Sequence, residues 1–146
     1  MRKHLIVAAL AVISGPGWAS CDQAVKANDA MQFDVKEITV DKTCKRFTIK
    51  LEHTGKLPKT AMGHNWVLTS DADFQRVATG GVSAGAARDY VPDDAAVIAH
   101  SKVLGGGESA TVSIDVARLA AGKVYTFFCS FPGHWAMMKG TLKLGS

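Results

Sequence analysis

The chain contains no long apolar run past residue 13. A membrane-spanning helix needs about 20 such residues in succession, so the body of the chain is not expected to cross a membrane. It has no basic cluster either. Its 17 Lys and Arg and 13 Asp and Glu are scattered, which gives no electrostatic footprint for nucleic acid. No internal repeat, low-complexity tract or linker divides the 146 residues, so one domain is expected. Cysteine is scarce, at three residues. In an exported chain an odd number leaves one thiol unpaired, and an unpaired thiol is a liability unless it has a use.

Export is the expectation from the amino terminus. Arg2 and Lys3 precede the apolar stretch Leu5–Ile13, and Gly17-Trp18-Ala19 puts small residues at the two positions a signal peptidase reads. This pattern predicts a signal peptide over residues 1–19 and a mature domain over 20–146. A lipoprotein signal cut before Cys21 is the weaker reading, because Trp18 occupies the position three residues ahead where an aliphatic side chain is wanted. Loss of Arg2 and Lys3 leaves 15 basic against 13 acidic side chains, a mild balance.

The cysteines divide by neighbourhood. Cys21 and Cys44 lie among polar residues in the N-terminal third, whereas Cys129 lies among aromatics with a His and a Met close behind. A Cys21–Cys44 disulfide and a working thiol at Cys129 are therefore expected, and an oxidising compartment favours the bond. Closing a loop of that length stabilises a fold by roughly 3 kcal/mol in the chain-entropy picture.

Period-two alternation dominates the body. Phe47, Ile49 and Leu51 alternate with polar residues, as do Val112, Ile114 and Val116, and Leu142 and Leu144. Such runs predict half-buried antiparallel strands. Phe33 and Val35 share one parity and Ile38 and Val40 the other, so a β-bulge near Lys36 is expected. Short strands are also expected over 65–69, 97–100 and 124–129. About eight strands in one domain predict an all-β Greek-key sandwich. Residues 70–93 lack alternation. Ser70 with Asp73 resembles a capping box, and Gly80-Gly81 is the expected stop of a short helical flap.

The segment Cys129-Ser-Phe-Pro-Gly-His134-Trp-Ala-Met-Met138 puts a thiol, an imidazole and a thioether on one loop between strands, with Pro132-Gly133 supplying the turn. His64, at the start of an earlier strand in Gly63-His64-Asn65-Trp66, is the best candidate for a fourth ligand. Structural zinc sites favour Cys and His, and calcium and magnesium need oxygen. Two imidazoles and one thiolate with a weak axial Met is the donor set of blue copper electron-transfer sites. Phe128, Phe131, Trp135 and Met137 are candidates to shield the ion, and Gly63 lets its own carbonyl approach closely. Taken singly, His64 and Met138 would read as core residues. Cys129 with His134 would read as the pair of a thiol hydrolase, but no orienting group or oxyanion loop accompanies them. A copper chaperone or storage protein would use Met-rich or paired-Cys sites, and a single four-residue cage argues against one.

At these motifs the chain resembles the azurins, small type 1 blue copper proteins of the cupredoxin family. The resemblance runs from Cys21 to Leu144 and is carried by Met62-Gly-His-Asn-Trp-Val-Leu68, by Val97-Ile-Ala-His100 and by the block Phe127–Leu142. It implies a cupredoxin-like sandwich with a helical flap, and one copper ion bound by His64, Cys129 and His134 with Met138 and the Gly63 carbonyl axial. It implies a periplasmic one-electron carrier rather than an enzyme, expected to be a monomer. Its partners would be c-type cytochromes and a terminal reductase or oxidase. By the same resemblance Asn65 clamps the two ligand loops, Phe131 lies beside the site, and Met31, Leu57, Pro58, Met62, Phe131, Pro132 and Gly133 form an apolar patch around the edge of His134. His53 and His100 match non-ligand histidines. Val82, Arg76 and an apparent one-residue deletion near Val91-Pro92 depart from the family pattern.

Overall fold

The structure is a computed structural model that describes residues 19–146. The expected signal segment lies, but for Ala19, outside the described residues. Among the described residues nine strands form two sheets. The strands are β1 (Asp22–Asn28), β2 (Gln32–Phe33), β3 (Glu37–Val40), β4 (Arg46–His53), β5 (Val67–Ser70), β6 (Ala99–His100), β7 (Ser109–Asp115), β8 (Val124–Phe128) and β9 (Lys139–Leu144). Two helices, α1 (Lys59–Met62) and α2 (Phe74–Ala84), interrupt them. One sheet has the order β2-β1-β4-β7 and the other β3-β9-β8-β5-β6.

The alternating residues pack as their period requires. Val25 and Ala27 of β1, Phe47, Ile49 and Leu51 of β4, and Val112 and Ile114 of β7 face Ile38, Val40, Leu68, Tyr125, Phe127 and Leu142 of the other sheet in one buried core. Trp66 stacks on Phe127 at 5.5 Å in its middle, with an indole N–H that finds no acceptor among the described residues. β5 and β8 are buried on both faces because α2 covers the outside of their sheet. Val67, Val77, Ala78, Val91 and Phe128 make a second, smaller core there.

Three expectations change. The parity switch after Phe33 is not a bulge: β2 ends in one sheet and β3 begins in the other, so residues 34–36 carry the chain across the sandwich. The pairing is mixed rather than all antiparallel, since β1 runs parallel to β4 and β3 parallel to β9. Ser70 Oγ accepts the Asp73 N–H at 3.2 Å, but it caps a 3-10 turn over Asp71–Asp73 that leads into α2, and α2 runs through Gly80-Gly81 and ends at Gly85, φ +74°. Gly81 is a packing residue, buried against the Tyr90 carbonyl.

The Cys21–Cys44 disulfide forms, and Cys129 is the free, buried cysteine. Cys44 precedes β4 and His53 ends it, so β4 spans the sandwich, about 25 Å at 3.3 Å per residue. Replacing both disulfide cysteines by serine is expected to lower the unfolding free energy by about 3 kcal/mol. Denaturant titration checks that value, and amide NMR shifts of residues 129–138, at the other end of β4, are expected to stay unchanged.

Candidate metal centre

Each donor is positioned by backbone bonds that precede any metal. His64 sits between α1 and β5. Its N–H donates to the Leu104 carbonyl at 3.0 Å and its carbonyl accepts from Leu104 N–H at 2.7 Å, an isolated bridge. Its ring Nε2 lies 2.8 Å from the Asn28 carbonyl at the end of β1. A carbonyl only accepts, so Nε2 carries the hydrogen and Nδ1 presents a lone pair. The His53 ring stacks behind at 4.5 Å, itself held by the Met62 carbonyl at Nε2 and the Gly55 N–H at Nδ1. Cys129 is the first residue after β8, and its N–H donates to the Met138 carbonyl at 2.9 Å. Phe131-Pro-Gly-His134 forms a turn in which Gly133 has φ +83° and the His134 N–H returns to the Phe131 carbonyl at 3.0 Å. That is the type II geometry Pro-Gly favours, with glycine at the position requiring positive φ.

These bonds aim three side chains at one point. Cys129 Sγ is 3.8 Å from His64 Nδ1 and 3.7 Å from His134 Nδ1, and the two nitrogens are 3.2 Å apart. Such a triangle has a centre about 2 Å from each corner, the length of a metal–nitrogen bond. All three residues are buried, His134 at 4 % exposure and the others at 0 %. Burial pushes the Cys129 thiol up to about 12 and the His64 imidazole down to about 4, and lowers His134 as well. At neutral pH both rings are therefore neutral with lone pairs available, and one thiol proton is all that a cation must displace.

Asn65 Oδ1 accepts the Ser130 N–H, and Nδ2 donates to Ser130 Oγ and to the Asp89 carbonyl, each at 2.8 Å. The residue after His64 is thus tied to the residue after Cys129. Gly63 is buried where a Cβ would collide with the Lys59 carbonyl, Val103 and Phe131. Its carbonyl lies 3.9 Å from Cys129 Sγ. Phe131 is half-buried, 4.7 Å from the His134 ring, and Met138 is fully buried. Leu57, Pro58, Pro132 and Gly133 are exposed, and Met31 and Met62 half-buried. His100 is on the surface. Met137 shields nothing at 60 % exposure. Trp135 turns toward α2, edge-on to Phe74 at 5.8 Å.

Asp89 and Tyr90 were not singled out from the sequence, and Asn28 was given no role there. Asn28 and Asp89 act through backbone carbonyls, which leave no side-chain signature, and Asp89 and Tyr90 sit at φ 52° and 55° without a glycine to announce it.

Residues 19–145 match the family model described as copper binding proteins, plastocyanin/azurin family. The chain belongs to the plastocyanin/azurin family. The Azurin-2 of Alcaligenes xylosoxydans xylosoxydans is 65% identical over 129 residues, covering 88% of this chain and 100% of the relative. The azurin of Pseudomonas aeruginosa is 51% identical over 146 residues, covering 99% of each. The solved structure of the azurin Az-iso2 from Methylomonas sp. strain J aligns with a TM-score of 0.84 at 46% identity, over 88% of this chain and 100% of that one. This plastocyanin/azurin-family protein is a cupredoxin copper electron carrier with one copper ion. The triangle of His64, Cys129 and His134 suits that ion, because it combines one soft sulfur with two nitrogens in a buried site free of carboxylates.

Proposed function

We propose that the chain works in the periplasm as a one-electron shuttle between larger redox proteins and catalyses no reaction of its own. Residues 1–19 serve in this reading as the export signal, and 20–146 as a single domain. The observation that carries the proposal is the buried triangle of donors. Bound copper supplies a Cu(I)/Cu(II) couple. The chain's own contribution is to keep the donors still in both states. Asn28 and His53 fix His64 from behind, the Pro132-Gly133 turn fixes His134, and the Met138 carbonyl fixes Cys129. Asn65 locks the two ligand segments together, and Phe131 keeps water from the His134 side. Met138 and the Gly63 carbonyl would hold the bound ion weakly, leaving no open position for a substrate.

Electrons pass through the His134 edge, in the middle of Met31, Leu57, Pro58, Met62, Pro132 and Gly133. A small apolar face gives brief encounters, as a carrier requires. In this reading c-type cytochromes donate, a terminal reductase or oxidase accepts, and the protein is a monomer.

A visible absorption spectrum of copper-reconstituted protein tests the proposal. An intense blue thiolate-to-Cu(II) band supports it, and a pale product with labile Cu(I) would point to a copper chaperone or storage protein instead. Met138→Leu is expected to keep copper and colour while raising the reduction potential, because losing a weak donor destabilises Cu(II) more than Cu(I). Voltammetry measures the shift, and loss of copper binding in this variant would show that the axial bond is strong.

A further inference from the structure

A cavity of about 100 Å³ opens between α1 and residues 86–90, lined by Lys59, Thr60, Ala86, Asp89, Tyr90 and Val103. It adjoins the metal centre. The Tyr90 ring meets Phe131 edge-on at 5.3 Å, and Phe131 lies 4.7 Å from the His134 ring. Its far wall is held in place: the Asp89 carbonyl accepts from Asn65, and its carboxylate accepts the Val103 N–H at 2.8 Å.

The charges at this corner are unevenly engaged. Lys56 and Lys59 flank Leu57-Pro58, and among the described residues neither ammonium has an ion pair. The nearby carboxylates keep their charge but accept backbone N–H groups and form no ion pair with either ammonium among the described residues. Asp29 accepts the N–H groups of Lys56 at 2.8 Å and Leu57 at 3.4 Å, and Glu108 accepts the Gly105 N–H at 2.8 Å. A surface approaching Leu57 and Pro58 therefore meets two unpaired cations beside an apolar face.

We propose that this corner orients the redox partner: a partner protein places one carboxylate against Lys59 at the mouth of the cavity and another against Lys56, while its apolar surface covers Leu57, Pro58 and Met62. The inference rests on the shuttle reading above. An apolar patch alone fixes no rotational setting, whereas charge pairs at one edge do, and they act mainly on association rate. Exposed pairs add little affinity, so the complex still dissociates quickly.

The test uses the reduced, copper-loaded protein. Hexacyanochromate(III), a paramagnetic anion, is titrated in, and amide line broadening is read by NMR. Broadening is expected at Lys56, Lys59, Thr60 and Tyr90, displaced by a short poly-glutamate peptide and absent in K56E/K59E. Lys59→Glu is expected to slow oxidation by hexacyanoferrate(III) and speed oxidation by tris(phenanthroline)cobalt(III), each by roughly threefold to tenfold at low salt. The effect should collapse at high salt. Lys42→Glu, beside Cys44, makes the same charge change and is expected to leave both rates nearly unchanged. Broadening centred on Lys42 and Lys45, failure of the peptide to compete, or equal responses to the two charge reversals overturns the proposal. A blue band in every variant shows that such a failure belongs to this corner, whereas a pale wild-type protein is a failure of the shuttle reading.

Discussion

Cys129→Ser is expected to abolish the intense visible band and electron transfer while leaving the sandwich folded. The band needs a thiolate bonded to copper, and a serine hydroxyl neither ionises at neutral pH nor offers soft sulfur. The two imidazoles remain, so weak, pale Cu(II) binding is the most the variant retains. The fold has little stake in the sulfur. Its contacts with the Gly63 carbonyl, His64 and His134 are long, at 3.7–3.9 Å. The disulfide and both cores are built from other residues. A serine hydroxyl is shorter than the thiol and reaches neither the Gly63 carbonyl nor His64, so the metal-free variant should stay folded while losing about 1–3 kcal/mol for the unpaired buried hydroxyl. Visible absorption and a thermal melt of the metal-free proteins check both halves. Collapse of the folded structure would falsify the view that the site is carried by a scaffold independent of metal.

How far the sequence disclosed this scaffold depends on whether a feature is written in side chains. Phe47, Ile49 and Leu51, or Val112 and Ile114, announce strands because one face of each is buried and the other solvated, which imposes period two. Periodicity names no partner, so the parallel pairing of β1 with β4 and of β3 with β9 was not legible. Nor did the parity change between Phe33 and Ile38 distinguish a bulge from a change of sheet. Gly80-Gly81 resembled a helix stop because glycine is a weak helix former, yet packing of α2 against Tyr90 and the sheet outweighs that local preference. The centre was legible where its donors share the 129–138 loop, and His64 stood out only with them. The Asn28 carbonyl that sets the His64 tautomer, the His53 ring stacked behind it, and the Asp89 carbonyl that anchors Asn65 are tertiary arrangements of residues whose types are unremarkable.

Asn65→Leu is expected to be the most damaging change outside the donors. Leucine keeps the branched skeleton of asparagine and is bulkier, so the variant removes the hydrogen bonds without opening a cavity. The amide makes three bonds of 2.8 Å in a site with no solvent access. Without it the Ser130 N–H and the Asp89 carbonyl lose their Asn65 partner inside the protein. Each buried group left unpaired costs about 1–3 kcal/mol, so a loss of about 4 kcal/mol is expected in denaturant titration. Ser130→Ala removes only the hydroxyl bond and should cost about 1 kcal/mol. Because the clamp joins the neighbours of His64 and Cys129, its loss loosens the donor triangle as well. Supporting residues of this kind are typically worth 10–100-fold in metal affinity. Transfer of Cu(I) to a chelator should therefore be favoured by about that factor in Asn65→Leu and scarcely at all in Ser130→Ala. If the two variants lose copper alike, the Asp89 and Ser130 backbone bonds are not what holds the ligand segments in register.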